Sequence, residues 1–124
     1  MTRKILDVGQ CGPDHIRISR MLKDNFDVDV QMAETHNEAM LKLRNGDFDL
    51  ILLNRIYDAT GGQGLDTLRA LKSDDATSGI PVMLISNYEE AQQSAVAEGA
   101  VQGFGKSELA DPATADRLRQ FLAN

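Results

Sequence analysis

The residues that could do chemistry fall in five places: Asp7, Gly9, Gln10 and Cys11; Asn54 and Arg55; Asp58; Ser86 and Asn87; and Lys106. Gly9-Gln10-Cys11-Gly12 is a glycine-containing turn. It matches neither GxGxxG nor a P-loop, and Asp14 just beyond it would repel a phosphate, so a nucleotide site has little support. Cys11 and His15 are four residues apart, but the chain has one cysteine and two histidines. That is too few for the usual zinc site, and a single cysteine forms no internal disulfide. His15 and His36 each stand near a helix start and read as surface residues. No Ser–His–Asp or Cys–His set can be assembled, so an enzyme is not expected. The Lys106 amine, with Ser86, Asn54 and Arg55, could hold a small anion.

These residues need elements to bring them together. Short apolar runs occur at Ile5–Val8, Val28–Met32, Phe48–Leu53, Ile80–Ile85 and, more weakly, Ala100–Phe104. Longer amphipathic stretches separate them, and such alternation predicts an α/β fold with a parallel sheet. Pro13 and Asp14 fit the first turn of helix one, which carries Ile18, Met21 and Leu22 on one face to about Asn25. Thr35 followed by Glu38 has capping-box spacing and opens helix two; Ala39, Met40 and Leu43 form its apolar stripe and Asn45-Gly46 stops it. Helix three carries Leu65, Leu68 and Leu71. Helix four spans Glu89 to Glu98 with Ala91, Ala95 and Val96 inward and Gly99 as its C-cap. Asp111 caps helix five, with Pro112 at its first position. Leu50-Ile51-Leu52-Leu53 is apolar without alternation, as in a central parallel strand covered on both faces. Open α/β sheets bind ligands outside the carboxyl ends of the strands, and the polar residues named above all fall there.

The chain has 124 residues, 42% hydrophobic and 26% charged, which suits one soluble domain and no disordered tract. Thirteen basic against nineteen acidic side chains leave a net charge of −6, which speaks against nucleic-acid binding. No apolar run reaches the roughly 18 residues of a membrane span, and the N-terminus is not a signal peptide, so a cytoplasmic protein is expected. The five methionines read as core filling, and Asp74-Asp75 and Glu89-Glu90 as solvated faces.

Three segments, FDLILLNR, IPVMLISN and EGAVQGFGKSEL, in this order and spacing, resemble the receiver domain of bacterial response regulators of the chemotaxis-regulator type. The resemblance covers nearly the whole chain. It implies a flavodoxin-like, doubly wound (βα)5 fold, a five-stranded parallel sheet of order 2-1-3-4-5. Carried over position by position, the phosphoaccepting Asp falls on Asn54. The acidic metal-binding pair falls on Gly9 and Gln10, with about one extra residue in the loop that follows. The Ser/Thr switch and the Lys fall on Ser86 and Lys106 and are kept. The aromatic switch falls on Gly103, the Pro after the Lys is Ser107, and the loop RIYDATGGQG is longer than usual.

A receiver of the ordinary kind transfers a phosphoryl group to a carboxylate beside a Mg²⁺ ion held by three carboxylates. Gly9 has no side chain, and Gln10 and Asn54 offer only neutral amides to a hard cation. The resemblance therefore implies a pseudo-receiver, with no cofactor and Mg²⁺ binding lost. Its expected role is to dock a protein partner in two-component signalling through helix four, strand five and helix five, with a homodimer as one form of docking. Its output is then constitutive or set by a partner. Alternatives are an anion or ligand sensor lined by Asn54, Arg55, Ser86 and Lys106, and phosphorylation at a nonstandard residue such as Asp58 or Ser86. Putting Asp7 in the acidic pair would slip the register by two and leave strand one very short. In the preferred register Asp7 lies one layer below Gly9 and needs a partner. Lys106 is the expected one, and solvation at a frayed strand is the alternative. Arg55 either pairs with Asp58 on the surface or covers the emptied pocket. Asp7, Arg55, Asp58 and Asn87 are the expected pocket-lining residues. A chain ending at Asn124, just after helix five, fits both a stand-alone protein and a receiver that continues into an output domain.

Overall fold

The apolar runs become five parallel strands in the computed structural model, which describes residues 2–123. In chain order the elements are β1 (Arg3–Val8), α1 (Gly12–Asn25), β2 (Val28–Ala33), α2 (His36–Asn45), β3 (Leu50–Asn54), α3 (Gly64–Lys72), β4 (Val82–Ile85), α4 (Glu89–Ala97), β5 (Val101–Phe104) and α5 (Pro112–Leu122). A 3-10 turn over Lys106–Glu108 precedes α5. The sheet order is β2-β1-β3-β4-β5, as expected. Every β3 residue is buried, because helices cover both faces of this central strand. The caps form as read: Thr35 Oγ1 accepts from the Glu38 amide at 3.1 Å, and Asp111 Oδ1 from the Ala113 amide at 2.9 Å.

Alternation along the strands splits the core in two. Leu6, Val8, Ile51, Leu53 and Leu84 face α2, α3 and α4, where Ala39, Leu43, Leu68, Leu71 and Ala95 meet them. Ile5, Leu50, Leu52, Met83 and Phe104 face α1 and α5, meeting Ile18, Leu22, Leu118 and Leu122. Truncating a side chain such as the fully buried Leu52 to alanine costs about 2–5 kcal/mol.

Two expectations fail locally. Val96 is 43% exposed, and the inward positions of α4 are Gln92 and Ala95, with Ala91 partly buried. A polar residue thus takes an inward position that the apolar pattern gave to Val96. His15 and His36 are half-buried, because each is held by a buried polar group. Met21 and Met83 are in the core and Met40 packs against it; Met1 lies outside the described residues.

Candidate functional site

Gly9 and Asn54 stand side by side at the carboxyl end of the sheet, because Val8 of β1 pairs with Leu53 of β3. This register keeps Gly9, and not Asp7, at the level of Asn54. Asn54 Nδ2 donates to the Gly9 carbonyl at 3.0 Å and to the Ile56 carbonyl at 2.7 Å. Both amide hydrogens are used, so the NH₂ group sits where two carbonyl oxygens converge. Gly9 has φ +81°, and a Cβ there would overlap the Tyr57 ring. Tyr57 is 2% exposed, and its hydroxyl donates to Thr67 Oγ1 at 2.6 Å. Burial pushes the Tyr57 phenol up to about 12.

The long loop after β3 puts the ring there. It folds back on itself through an antiparallel bridge between Ile56 and Gln63. The Tyr57 amide donates to the Gly62 carbonyl at 2.7 Å and the Gly61 amide to the Tyr57 carbonyl at 2.8 Å. Sequence reading missed Tyr57. The available signals were the loop's extra length and a glycine in place of a side chain at position 9.

Asp7 is fully buried in β1, so the solvated alternative is overturned. Its partner is also not the expected one: Oδ2 shares a hydrogen bond of 2.7 Å with His15 Nδ1. Lys106 Nζ instead meets Asp14 Oδ2 at 2.9 Å. The reason is placement: Asp14 and His15 are neighbours on the first turn of α1, where His15 reaches Asp7 and Asp14 takes Lys106. Burial pushes the Asp7 carboxyl up from its ordinary value, against the pull of His15. The hydrogen bond from Lys106 holds the Asp14 carboxyl below its ordinary value. Gln10 is buried with neither amide atom bonded to protein. Among the described residues no three His, Cys, Asp or Glu side chains form a metal-binding group.

A cleft of about 320 Å³ opens beside Asn54, lined by Arg55, Ser86, Asn87, Tyr88 and Lys106 among others. Arg55 lines this cleft, as one expectation had it, and Asp58 does not. The other expectation needs correction: Arg55 makes no ion pair with Asp58 among the described residues, and its guanidinium lies over the exposed Tyr88 ring, 5.0 Å from the centroid. Such stacking outcompetes a solvated ion pair to the exposed Asp58. Ser86 Oγ accepts from the Tyr88 amide at 3.1 Å, and Asn87 Oδ1 accepts from the Ser107 amide and hydroxyl at 3.1 and 2.9 Å.

At Gly103 a side chain has no room, since a Cβ would overlap the Leu84 carbonyl. The register between β4 and β5 shifts here, with Met83 facing Val101 and Ile85 facing Phe104. Gln92 from α4 closes the gap. Its Nε2 donates to the Leu84 and Ser86 carbonyls at 2.9 and 3.1 Å, and its Oε1 accepts from the Gly103 amide at 3.0 Å. One buried amide thus ties α4 to β4 and β5.

The comparisons agree with this architecture. The chain is 28% identical over 119 residues to the chemotaxis protein CheY-3 of Vibrio cholerae serotype O1, covering 96% of this chain and 88% of that one. A putative response regulator from Chloroflexus aurantiacus superposes with a TM-score of 0.79 at 15% identity, covering 100% of both chains. The fold is that of response-regulator receiver domains. The signal receiver domain of a DNA-binding response regulator from Colwellia psychrerythraea matches with the same TM-score, 0.79, at 22% identity, covering 95% of this chain and 96% of that one. No family model matches the sequence. Among the described residues, no helix is long and apolar enough to cross a membrane.

Proposed function

We propose that this chain is a pseudo-receiver. In this reading residues 1–124 form one receiver-like, non-enzymatic domain, cytoplasmic, that docks a protein partner in two-component-type signal transduction without aspartyl phosphorylation. The observation that carries the reading is the filled end of β1 and β3. Tyr57 covers Gly9, and the Asn54 NH₂ group occupies the point where the Gly9 and Ile56 carbonyls meet. A Mg²⁺ ion needs oxygen ligands in octahedral array, preferably anionic. Here it would meet an NH₂ group and an aromatic ring, so the residues present do not fit the metal. An amide also forms no acyl phosphate.

The switch reads the same way. With no room for a side chain at Gly103, the paired rotation of an aromatic residue with Ser86 has no counterpart. Gln92 holds α4 against β4 and β5 through three hydrogen bonds of 2.9–3.1 Å. The face of α4, β5 and α5 is then a fixed docking surface, and Tyr88 and Val96, 62% and 43% exposed, are its apolar points. Its occupant is a protein partner, a second copy of the chain included. The anion-sensor reading is weaker, because Lys106 is committed to Asp14 and Arg55 to Tyr88.

The test is an amide NMR titration with Mg²⁺ and then beryllium fluoride. Only nonspecific salt shifts are expected. Saturable shifts at Gly9, Asn54, Ser86 and Lys106 would overturn the reading.

A further inference from the structure

Asp7 and His15 form a pair that the receiver reading does not use. The Asp7 carboxylate is fully buried, its Oδ2 bonds only to His15 Nδ1, and its Oδ1 has no protein partner. With Nδ1 occupied, Nε2 is the free ring nitrogen, and it bonds to no protein group among the described residues. The ring borders a surface cleft of about 380 Å³ together with Ser19, Arg20, Lys23 and Asp24. Arg20 and Lys23 are exposed, and neither joins an ion pair among the described residues.

We propose that His15 is a phosphoacceptor, with Nε2 taking a phosphoryl group from a small phosphoramidate-type donor and Asp7 acting as its positioning residue. The dry carboxylate does two things. It fixes the tautomer that leaves the lone pair on Nε2. It also stabilises the positive charge that grows on the ring as the new bond forms, an interaction stronger in the transition state than before it. Arg20 and Lys23 attract the phosphoryl oxygens of the donor, while Asp24 opposes them. The donor reacts as its zwitterion, ⁺H₃N–PO₃²⁻: the Nε2 lone pair forms a bond to phosphorus and the P–N bond breaks. Neutral ammonia leaves with that electron pair, taking no further proton, and the ring keeps its Nδ1 proton toward Asp7. No oxidant, reductant or metal enters the balance.

His36 is the internal control. It is also half-buried, but its Nδ1 meets the neutral Thr67 hydroxyl at 2.8 Å. The folded chain is incubated with phosphoramidate, and each histidine is followed by NMR with intact-mass detection. His15 is expected to react at least about tenfold faster than His36, a barrier difference of about 1.4 kcal/mol. Asp7→Asn should remove most of that advantage, and His15→Gln should abolish the fast phase. Equal rates for the two histidines, or a fast phase that survives His15→Gln, would overturn the proposal, as would an unchanged His15 rate in folded Asp7→Asn. If Asp7→Asn does not fold, the rate ratio within the natural chain decides. A base-labile acyl phosphate would instead count against the pseudo-receiver reading, so the two failures are distinguishable.

Discussion

Replacing Gly9 with alanine tests the filled site directly. The φ of +81° forces an alanine into the left-handed region, which costs about 1–2 kcal/mol. The new methyl would also stand 2.7 Å from Tyr57 Cγ and 2.8 Å from Cε1. Tyr57 Cδ1 would be nearer still. Carbon atoms prefer about 3.5–4.0 Å, so the ring must retreat by roughly 1.5–2 Å. Overpacking of this kind costs about 1–3 kcal/mol, and losing the Tyr57–Thr67 hydrogen bond adds roughly 1 kcal/mol. Gly9→Ala should therefore destabilise the domain by about 3–6 kcal/mol. In a Tyr57→Ala background the ring is gone and only the backbone cost of about 1–2 kcal/mol remains. Urea unfolding of the four members of this cycle, with a stabilising osmolyte held constant, measures the difference. The expected coupling between the two sites is about 2–4 kcal/mol. If Gly9→Ala costs the same in both backgrounds to within about 0.5 kcal/mol, Tyr57 does not occupy the space above Gly9.

Other perturbations follow from the same geometry. Asn54→Asp replaces a double donor with an acceptor facing two carbonyls, so a loss of about 2–4 kcal/mol at neutral pH is expected in urea unfolding. Millimolar Mg²⁺ should not restore that loss, and full recovery on adding Mg²⁺ would refute the metal argument. Gln92→Ala strands the Leu84 carbonyl and the Gly103 amide. It should cost about 2–4 kcal/mol and speed hydrogen exchange at β4, β5 and α4 more than at β1 and β2. Uniform acceleration would mean that Gln92 is not a local tie. Tyr57 supplies a pH signature: its phenol is raised from 10.0 to about 12, so the folded state holds its proton more tightly than the unfolded chain. That contribution, roughly 3 kcal/mol, is fully present below pH 10 and is lost as pH rises toward 12. Tyr57→Phe should flatten this alkaline loss in pH-dependent unfolding curves, and an unchanged loss would assign it elsewhere.

Local rules made much of this domain legible from sequence. The unbroken apolar run Leu50–Leu53 marked a central strand, and Thr35 and Asp111 marked helix starts, because these signals depend on neighbours a few residues away. The identities at Gly9, Gln10, Asn54 and Gly103, on which the proposed loss of phosphorylation rests, are legible for the same reason, since a missing carboxylate is visible in one letter. What fills the vacancies was not legible. Tyr57 reaches Gly9 only because a hairpin-like loop folds back across 48 residues of sequence separation to β1. Gln92 occupies an inward position of α4 because open carbonyls and an amide of β4 and β5 lie opposite it, a match no helical periodicity predicts. Asp7 needed a partner because a carboxylate inside a strand is costly to bury, but the choice of His15 over Lys106 depended on how the first turn of α1 meets the sheet, with His15 on Asp7 and Asp14 on Lys106. Burial and charge set the need for partners along the chain, and the packing of helices on the sheet decided which side chains met it.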